Sequence, residues 1–385
     1  MSFAARTQHL KAEGAYAVLA RANQLEAAGQ EIIHLEIGQP DYPTFENVSQ
    51  AGIEAIRAGK TRYTPPAGMP SLREAVAEQA GRQRGIEISP EEVVISPGGK
   101  PNLFFPTLAL VEPGDEVVYP NPGFPTYEAM IKVAGGAPVA VPLLERNQFS
   151  FDLDAFDKLL NERTKMIILN SPSNPTGGVI PPADLEHIAS QAERFGCWVL
   201  SDEIYARIVY DGLEAPSIAS LPGMKERTII VDGFSKTYSM TGWRLGFGII
   251  PRELAARVDL LLTHSIGSTA HFTQFAGLEA VTGPQDMVNV MVTEYQRRRD
   301  VIVEGLNALP GFVCQKPQGA FYVFPNITGT GMSSTELANL ILEKAGVALL
   351  PGNSFGEYGE GYLRISYASS LENIQKGLER IKSIL

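Results

Sequence analysis

Lys236 stands inside Gly233-Phe234-Ser235-Lys236-Thr237-Tyr238-Ser239-Met240-Thr241-Gly242-Trp243-Arg244-Leu245-Gly246. The β-branched run before it, Thr228-Ile229-Ile230-Val231, reads as a buried strand. A lysine leaving such a strand into a Ser/Gly/Thr-rich turn is held where water is scarce. Its ammonium is disfavoured there, and the free amine is open to attack on a carbonyl. Arg244 follows eight residues later, a fixed cation suited to clamping an anion such as phosphate. The plain alternative for any single Ser-Lys pair is a solvated surface turn.

Other stretches carry compatible chemistry. Pro97-Gly98-Gly99-Lys100 joins a strand reading (Glu92 to Ser96) to a helix expected from Pro101. Glycines at such a junction let backbone N–H groups approach an anion at a helix N-terminus, although the spacing is not that of a P-loop. Asp202 and Tyr205 follow the apolar strand Cys197-Trp198-Val199-Leu200, and Asn174 lies in the turn after Lys165-Met166-Ile167-Ile168-Leu169-Asn170. An aspartate at the end of a buried parallel strand sits where open α/β sheets hold their ligands; helix capping is its other use. Arg364, in Gly361-Tyr362-Leu363-Arg364-Ile365-Ser366-Tyr367, shares a face with Tyr362 and Ser366 of a strand read as half-buried. Its guanidinium needs a partner there, either a carboxylate ligand or an internal acid.

The elements that must position these residues alternate strand and helix. A helical arm runs to about Gly29, followed by a short strand over Ile32 to Ile37, which ends in the breaker-rich turn from Gly38 to Pro43. A helix is expected from Glu46 to Ala58. A proline-stiffened loop, Arg62 to Pro70, then leads into Ser71-Leu72-Arg73-Glu74 with capping-box spacing. Leu185, Ile188, Ala189, Ala192 and Phe195 mark a helix closed by Gly196. A long helical region from about Pro284 to Leu309 precedes strands near Ala320 to Phe324 and Val347 to Leu350. The last helix carries Leu371, Ile374, Leu378 and Ile381, with Ser370 as its cap. These readings give an α/β domain over residues 46–284. The arm (1–45) and residues 285–385 form a smaller α+β domain.

The 385 residues are 44% apolar and 19% charged, enough for a large core. A net charge of −11 argues against non-specific nucleic-acid or acidic-membrane binding. Arg297-Arg298-Arg299 reads as a solvated helix face. Two cysteines, Cys197 and Cys314, make neither a disulfide framework nor a zinc site, and no metal is expected. With no apolar secretory core or bilayer-length segment, the expectation is a soluble cytoplasmic protein.

Taken together, Asn174, Asp202, Tyr205, Lys236 and Arg244 occur in an order and spacing that resembles the class I aminotransferases, pyridoxal 5′-phosphate (PLP) enzymes of fold type I. Prokaryotic-type aspartate aminotransferases and their aromatic, alanine and prephenate-using relatives are the nearest, and the resemblance covers nearly the whole chain. It implies a large PLP-binding domain with a central, mostly parallel sheet flanked by helices. It also implies that Lys236 carries the cofactor as an imine and shuttles protons, that Asp202 keeps the pyridine nitrogen protonated, and that Tyr205 and Asn174 address its phenolic oxygen. Phe124 matches the residue that stacks on the ring, though Trp or Tyr is usual there. Gly98, Gly99, Lys100, Ser235 and Arg244 surround the phosphate. Arg364 binds the substrate carboxylate, with Gly38 beside it. Tyr63 matches a tyrosine that reaches the partner subunit's cofactor, which implies a homodimer with shared sites.

The implied activity is ping-pong amino transfer between an L-amino acid and a 2-oxo acid. An aspartate- or glutamate-type donor is favoured because Lys100, and less directly Lys11, match basic positions that meet a distal carboxylate. Lys100 could equally serve the phosphate loop or solvent. Gly14, Ala15, Tyr16, Pro101 and Asn102 depart from the dicarboxylate-using pattern, and Gly233 replaces a phosphate-binding serine of some relatives, with Ser235 as compensation. Aromatic- or alanine-type transfer is the alternative, and PLP-dependent C–S lyase chemistry a further one. A non-enzymatic PLP-binding effector domain fits poorly, since every catalytic position is filled. An NAD-dependent enzyme would need a Gly-x-Gly-x-x-Gly turn, which is not evident.

Overall fold

A computed structural model of the chain describes residues 3–8, 10 and 14–385. Its strands, in chain order, are β1 (Ile33–His34), β2 (Val93–Ser96), β3 (Glu116–Asn121), β4 (Ala137–Leu144), β5 (Ser150–Phe151), β6 (Thr164–Asn170), β7 (Trp198–Asp202), β8 (Thr228–Gly233), β9 (Gly246–Ile249), β10 (Tyr322–Val323), β11 (Val347–Ala348), β12 (Leu350–Pro351) and β13 (Leu363–Ser366). Eight of them form one sheet in the order β2-β9-β8-β7-β6-β3-β4-β5. The β8-β7-β6-β3-β4 block is parallel. Antiparallel pairings lie at its two ends. Helices cover both faces, which is why β7 and β8 read as nearly unbroken apolar runs rather than alternating ones.

Sheet order decides where ligands bind. From β3 the chain steps to β4 in one direction, and from β6 through β7 to β8 in the other. A reversal of this kind leaves a crevice beyond the carboxyl ends of the strands. Phe124 follows β3, Asn174 follows β6, Asp202 ends β7, and Lys236 lies just past β8. The antiparallel β2-β9 pair adds Gly98 and Gly99 on one side and Arg244 on the other.

Above this edge lies a three-stranded sheet, β10-β13-β12, with both pairings antiparallel. β1 pairs in parallel with β11 over two residues only, so the strand expected over Ile32 to Ile37 is shorter. The segment expected as one strand over Val347 to Leu350 divides between two sheets. All four residues of β13 are buried, because the sheet's outer face is also covered; the half-buried reading is corrected accordingly.

Local signals account for several helix ends. Pro182–Phe195 buries Leu185, Ile188, Ala189 and Ala192, and Gly196 closes it at φ 66°. The last helix, Leu371–Lys382, starts at Ser370, whose hydroxyl accepts from the Asn373 amide at 3.1 Å. The box expected at Ser71 does not form. Pro70 begins that helix, its fixed φ suiting the first position, and this places Ser71 inside the first turn.

The arginine run is also corrected. Of these three arginines on the helix Asp286–Asn307, Arg297 alone is exposed; Arg298 and Arg299 are buried. Arg299 takes both carboxylate oxygens of Asp211, at 2.7 and 3.0 Å, and bonds Asp300. Arg298 holds Asp41 at 2.8 Å and Glu294 at 2.9 Å. A periodicity reading cannot see acids supplied by other elements. Asp41 belongs to the turn that begins at Gly38, so Arg298 braces a wall of the crevice.

Candidate active site

The crevice is a cleft of about 1400 Å³. Gly38, Lys100, Phe124 and Asn174 line it, as do Asp202, Tyr205 and Ser235, and Gly99, Lys236, Arg244 and Arg364 complete the expected set. Gly98 lies one residue behind the lining, between Pro97 and Gly99. Tyr63 is elsewhere. It stands 96% exposed, outside the cleft lining. Lys11 lies outside the described residues.

Lys236 sits in the first turn after β8, half-buried, with Nζ donating to the Gly38 carbonyl at 2.6 Å. The rings of Tyr205 and Phe321 flank the amine, their centroids 5.9 and 5.8 Å away. Burial, then the charges of Arg364 and Arg244, push the amine down to about 8, against a smaller opposing pull from Asp202. A lysine in this state supplies neutral amine near physiological pH.

Asp202 closes β7 and is buried. Oδ2 accepts from the Tyr127 hydroxyl at 2.8 Å, and Oδ1 from the Ile204 amide at 3.2 Å. Burial raises its carboxyl to about 6, while those two donors hold it down. Tyr127 was missed by sequence reasoning. Its signal was its place three residues after Phe124, across the turn that enters the helix Thr126–Ala134, where its amide donates to the Phe124 carbonyl at 3.0 Å. Their rings meet edge-on at 5.7 Å.

Asn174 lies in the turn after β6, where its amide donates to the Asn170 side chain at 2.8 Å. Its Oδ1 accepts from Arg364 Nη1 at 3.1 Å, and Arg364 Nη2 bonds the Glu36 carbonyl. Arg364 thus reaches the cleft from the centre of the upper sheet, its cation over the ring faces of Tyr322 and Phe355 at 4.5 and 5.0 Å. Tyr322, also unforeseen, bonds the Tyr205 hydroxyl at 2.8 Å.

At the β2 end, three backbones converge. A Cβ on Gly98 would lie 2.3 Å from Arg244 Nη2, and one on Gly246 would lie 2.6 Å from the Gly99 nitrogen. Gly233 has an equally tight neighbour: its Cβ would come within 2.9 Å of the Gly246 Cα. This close approach accounts for glycine there, with Ser235 two residues further on inside the cleft. The Gly98-Gly99 turn opens the helix Lys100–Leu110, whose N-terminal dipole favours an anion beside Arg244. Lys100 Nζ lies 5.2 Å from the centre of the Phe124 ring.

Residues 30–381 match the model of the aminotransferase class I and II family. The chain is 42% identical to an aspartate aminotransferase of Pyrococcus horikoshii over 95% of its own length and 92% of the other's. It is 40% identical to aromatic-amino-acid aminotransferase 2 of Thermococcus litoralis over 92% of both chains. Its structure superposes on the Thermus thermophilus aspartate aminotransferase with maleate at a TM-score of 0.96, with 38% identity and full coverage of both chains. The chain belongs to the class I and II aminotransferases. It is a fold-type-I, PLP-dependent aminotransferase. Among the described residues no helix is long and apolar enough to cross a membrane.

Proposed function

We propose that this enzyme moves the amino group of an aspartate- or glutamate-type donor to a 2-oxo acid by a ping-pong route, with Lys236 as the base. The supporting observation is the convergence, in one cleft, of a lysine with its amine near 8, a buried Asp202 and an arginine fork.

The residues present fit PLP. Gly98 leaves room for the Arg244 guanidinium against the turn, and together with Gly99, Lys100, Ser235 and the helix N-terminus this forms an anion cradle for the phosphate. Phe124 offers a π-face at the cleft wall, in place of the more polar rings of many relatives. When bound, the cofactor ring draws electron density from the substrate α-carbon and carries the amino group between the two acids. Asp202 is mostly ionised at neutral pH, and its carboxylate holds a proton on the pyridine nitrogen. Tyr205 and Asn174 donate toward the phenolic oxygen. Lys236 Nζ takes the α-proton, a step favoured by an amine value close to working pH. Arg364 presents its fork to the α-carboxylate, beside the Gly38 backbone. Lys100 lines the same cleft, and its cation suits either the phosphate or the distal carboxylate of a dicarboxylic donor; the second use supports the aspartate- or glutamate-type reading.

We also propose domain limits of 1–45 and 285–385 for the small domain and 46–284 for the large one. The working form is a cytoplasmic homodimer, in which exposed Tyr63 completes the cofactor site of a second copy. Exposed Ile56 and Ile266 lie on segments flanking that loop and support such an interface.

Single-turnover spectra with a panel of amino acids and no oxo acid test this function. Stoichiometric oxo-acid release, fastest with aspartate and glutamate, is expected. Faster release with alanine or aromatic donors removes the distal clamp. Pyruvate or ammonia accumulating over many turnovers makes the protein a lyase.

A further inference from the structure

The Tyr322 hydroxyl occupies an unusual junction. It lies 2.8 Å from the Tyr205 hydroxyl, and a Cβ on Gly38 would meet it at 2.1 Å. Gly38 is the residue whose carbonyl receives Lys236 Nζ. The Tyr322 ring lies under the Arg364 guanidinium at 4.5 Å, and the side chain is 1% exposed. One tyrosine therefore touches Tyr205, Arg364 and the Gly38 backbone. We propose that Tyr322 is a positioning residue for amino transfer: its hydroxyl donates to Tyr205, directing the one O–H of Tyr205 into the cleft, while its ring carries the Arg364 fork.

The proposal rests on the roles given above to Tyr205 and Arg364. A phenol has one donor and two acceptor sites. When Tyr205 spends its proton on an oxygen in the cleft, its bond to Tyr322 persists only with Tyr322 as donor. A phenol that accepts one hydrogen bond donates more strongly through its own proton. Tyr322 thereby fixes the direction of the Tyr205 O–H and sharpens it. The charged groups facing this pair are Arg364 from β13, Asp202 at the end of β7, and Lys236 beyond β8. In the sheet, Tyr322 stands opposite Ser366, two residues along β13 from Arg364, so ring and guanidinium meet diagonally across neighbouring strands. Phe321 packs edge-on against Tyr205 at 5.4 Å, which keeps both phenols from swinging away.

The test uses the PLP-loaded enzyme and the variants Tyr322→Phe, Tyr205→Phe, the double variant and Tyr322→Leu. Readouts are the pH midpoint of the cofactor's visible absorbance, kcat, KM and the melting temperature. Tyr205→Phe should move the midpoint upward, because a lost donor no longer stabilises negative charge on the phenolic oxygen. Tyr322→Phe keeps ring and volume. It should move the midpoint the same way by about half a unit and lower kcat roughly three- to tenfold, with KM little changed. The double variant should match Tyr205→Phe alone. Tyr322→Leu should add a rise in KM for the acids of about tenfold through loss of the ring under Arg364.

A wild-type midpoint in Tyr322→Phe, with Tyr205→Phe shifted, overturns the hydroxyl role. Additive shifts in the double variant also overturn it, since they mean independent action. An unchanged KM in Tyr322→Leu overturns the ring's role. An unmoved midpoint in Tyr205→Phe refutes the Tyr205 reading itself and takes the proposal with it.

Discussion

Lys236 donates from Nζ to the Gly38 carbonyl at 2.6 Å, tying the turn after β8 to a turn 198 residues earlier. Although that carbonyl favours the ammonium, the amine lies near 8, below its ordinary 10.5, because burial and two arginines outweigh it. Between those values the folded chain binds fewer protons than the unfolded one, so cofactor-free enzyme should gain stability as pH rises from 8 to 10.5. Lys236→Met removes this dependence. In urea titrations it should exceed wild type by about 1–3 kcal/mol below pH 8, the gap narrowing toward pH 10.5, and turnover should fall by ~10⁴ or more.

Arg364→Ala should raise KM for both amino and oxo acids by about a hundredfold while PLP still binds, measured by steady-state kinetics and absorbance titration. Arg364→Lys keeps the charge without the fork and should recover only part of the loss. An unchanged KM assigns the arginine to structure.

Gly98→Ala should weaken PLP binding about tenfold or more, because its Cβ would lie 2.3 Å from Arg244 Nη2 and its φ is +85°. Gly196→Ala is the control for backbone strain alone: φ there is +66° and nothing lies within 4 Å of the added carbon. It should lower the melting temperature and leave PLP affinity intact.

Arg84 lies behind the site, with Nε 2.7 Å from Glu203 and Nη2 2.8 Å from Asp232. Glu203 and Asp232 adjoin Asp202 and Gly233, so this buried cluster clips the ends of β7 and β8 together. Arg84→Met strands two buried carboxylates and should cost about 3–5 kcal/mol in denaturant unfolding. The loss should shrink as pH falls and Asp232, whose carboxyl burial already pushes up, takes up a proton. An equal loss at every pH would count against the charge cluster.

The motifs that the sequence exposes are those confined to one strand end. Lys236 after β8, Asp202 after β7 and Asn174 after β6 each follow an apolar run and meet a breaker, so order and spacing were enough to single them out. Tyr127 and Tyr322 were hidden because their importance comes from partners 75 and 117 residues away. Arg298 and Arg299 misled for the same reason: each takes one of its acids, Asp41 or Asp211, from another part of the chain.

The residue pattern by itself determined the alternation of strands and helices and the helix ends at Gly196 and Ser370, while the resemblance to class I aminotransferases marked the candidate side chains for amino transfer. These are local matters of periodicity, capping and turn geometry. Tertiary structure alone decided that Gly38 faces Lys236, that Arg364 comes down onto Asn174, that Tyr322 joins Tyr205 to Arg364, and that Lys236 and Asp202 titrate far from their usual values. Burial and neighbouring charge set those values, and both come from segments that meet only when the sheet orders its strands.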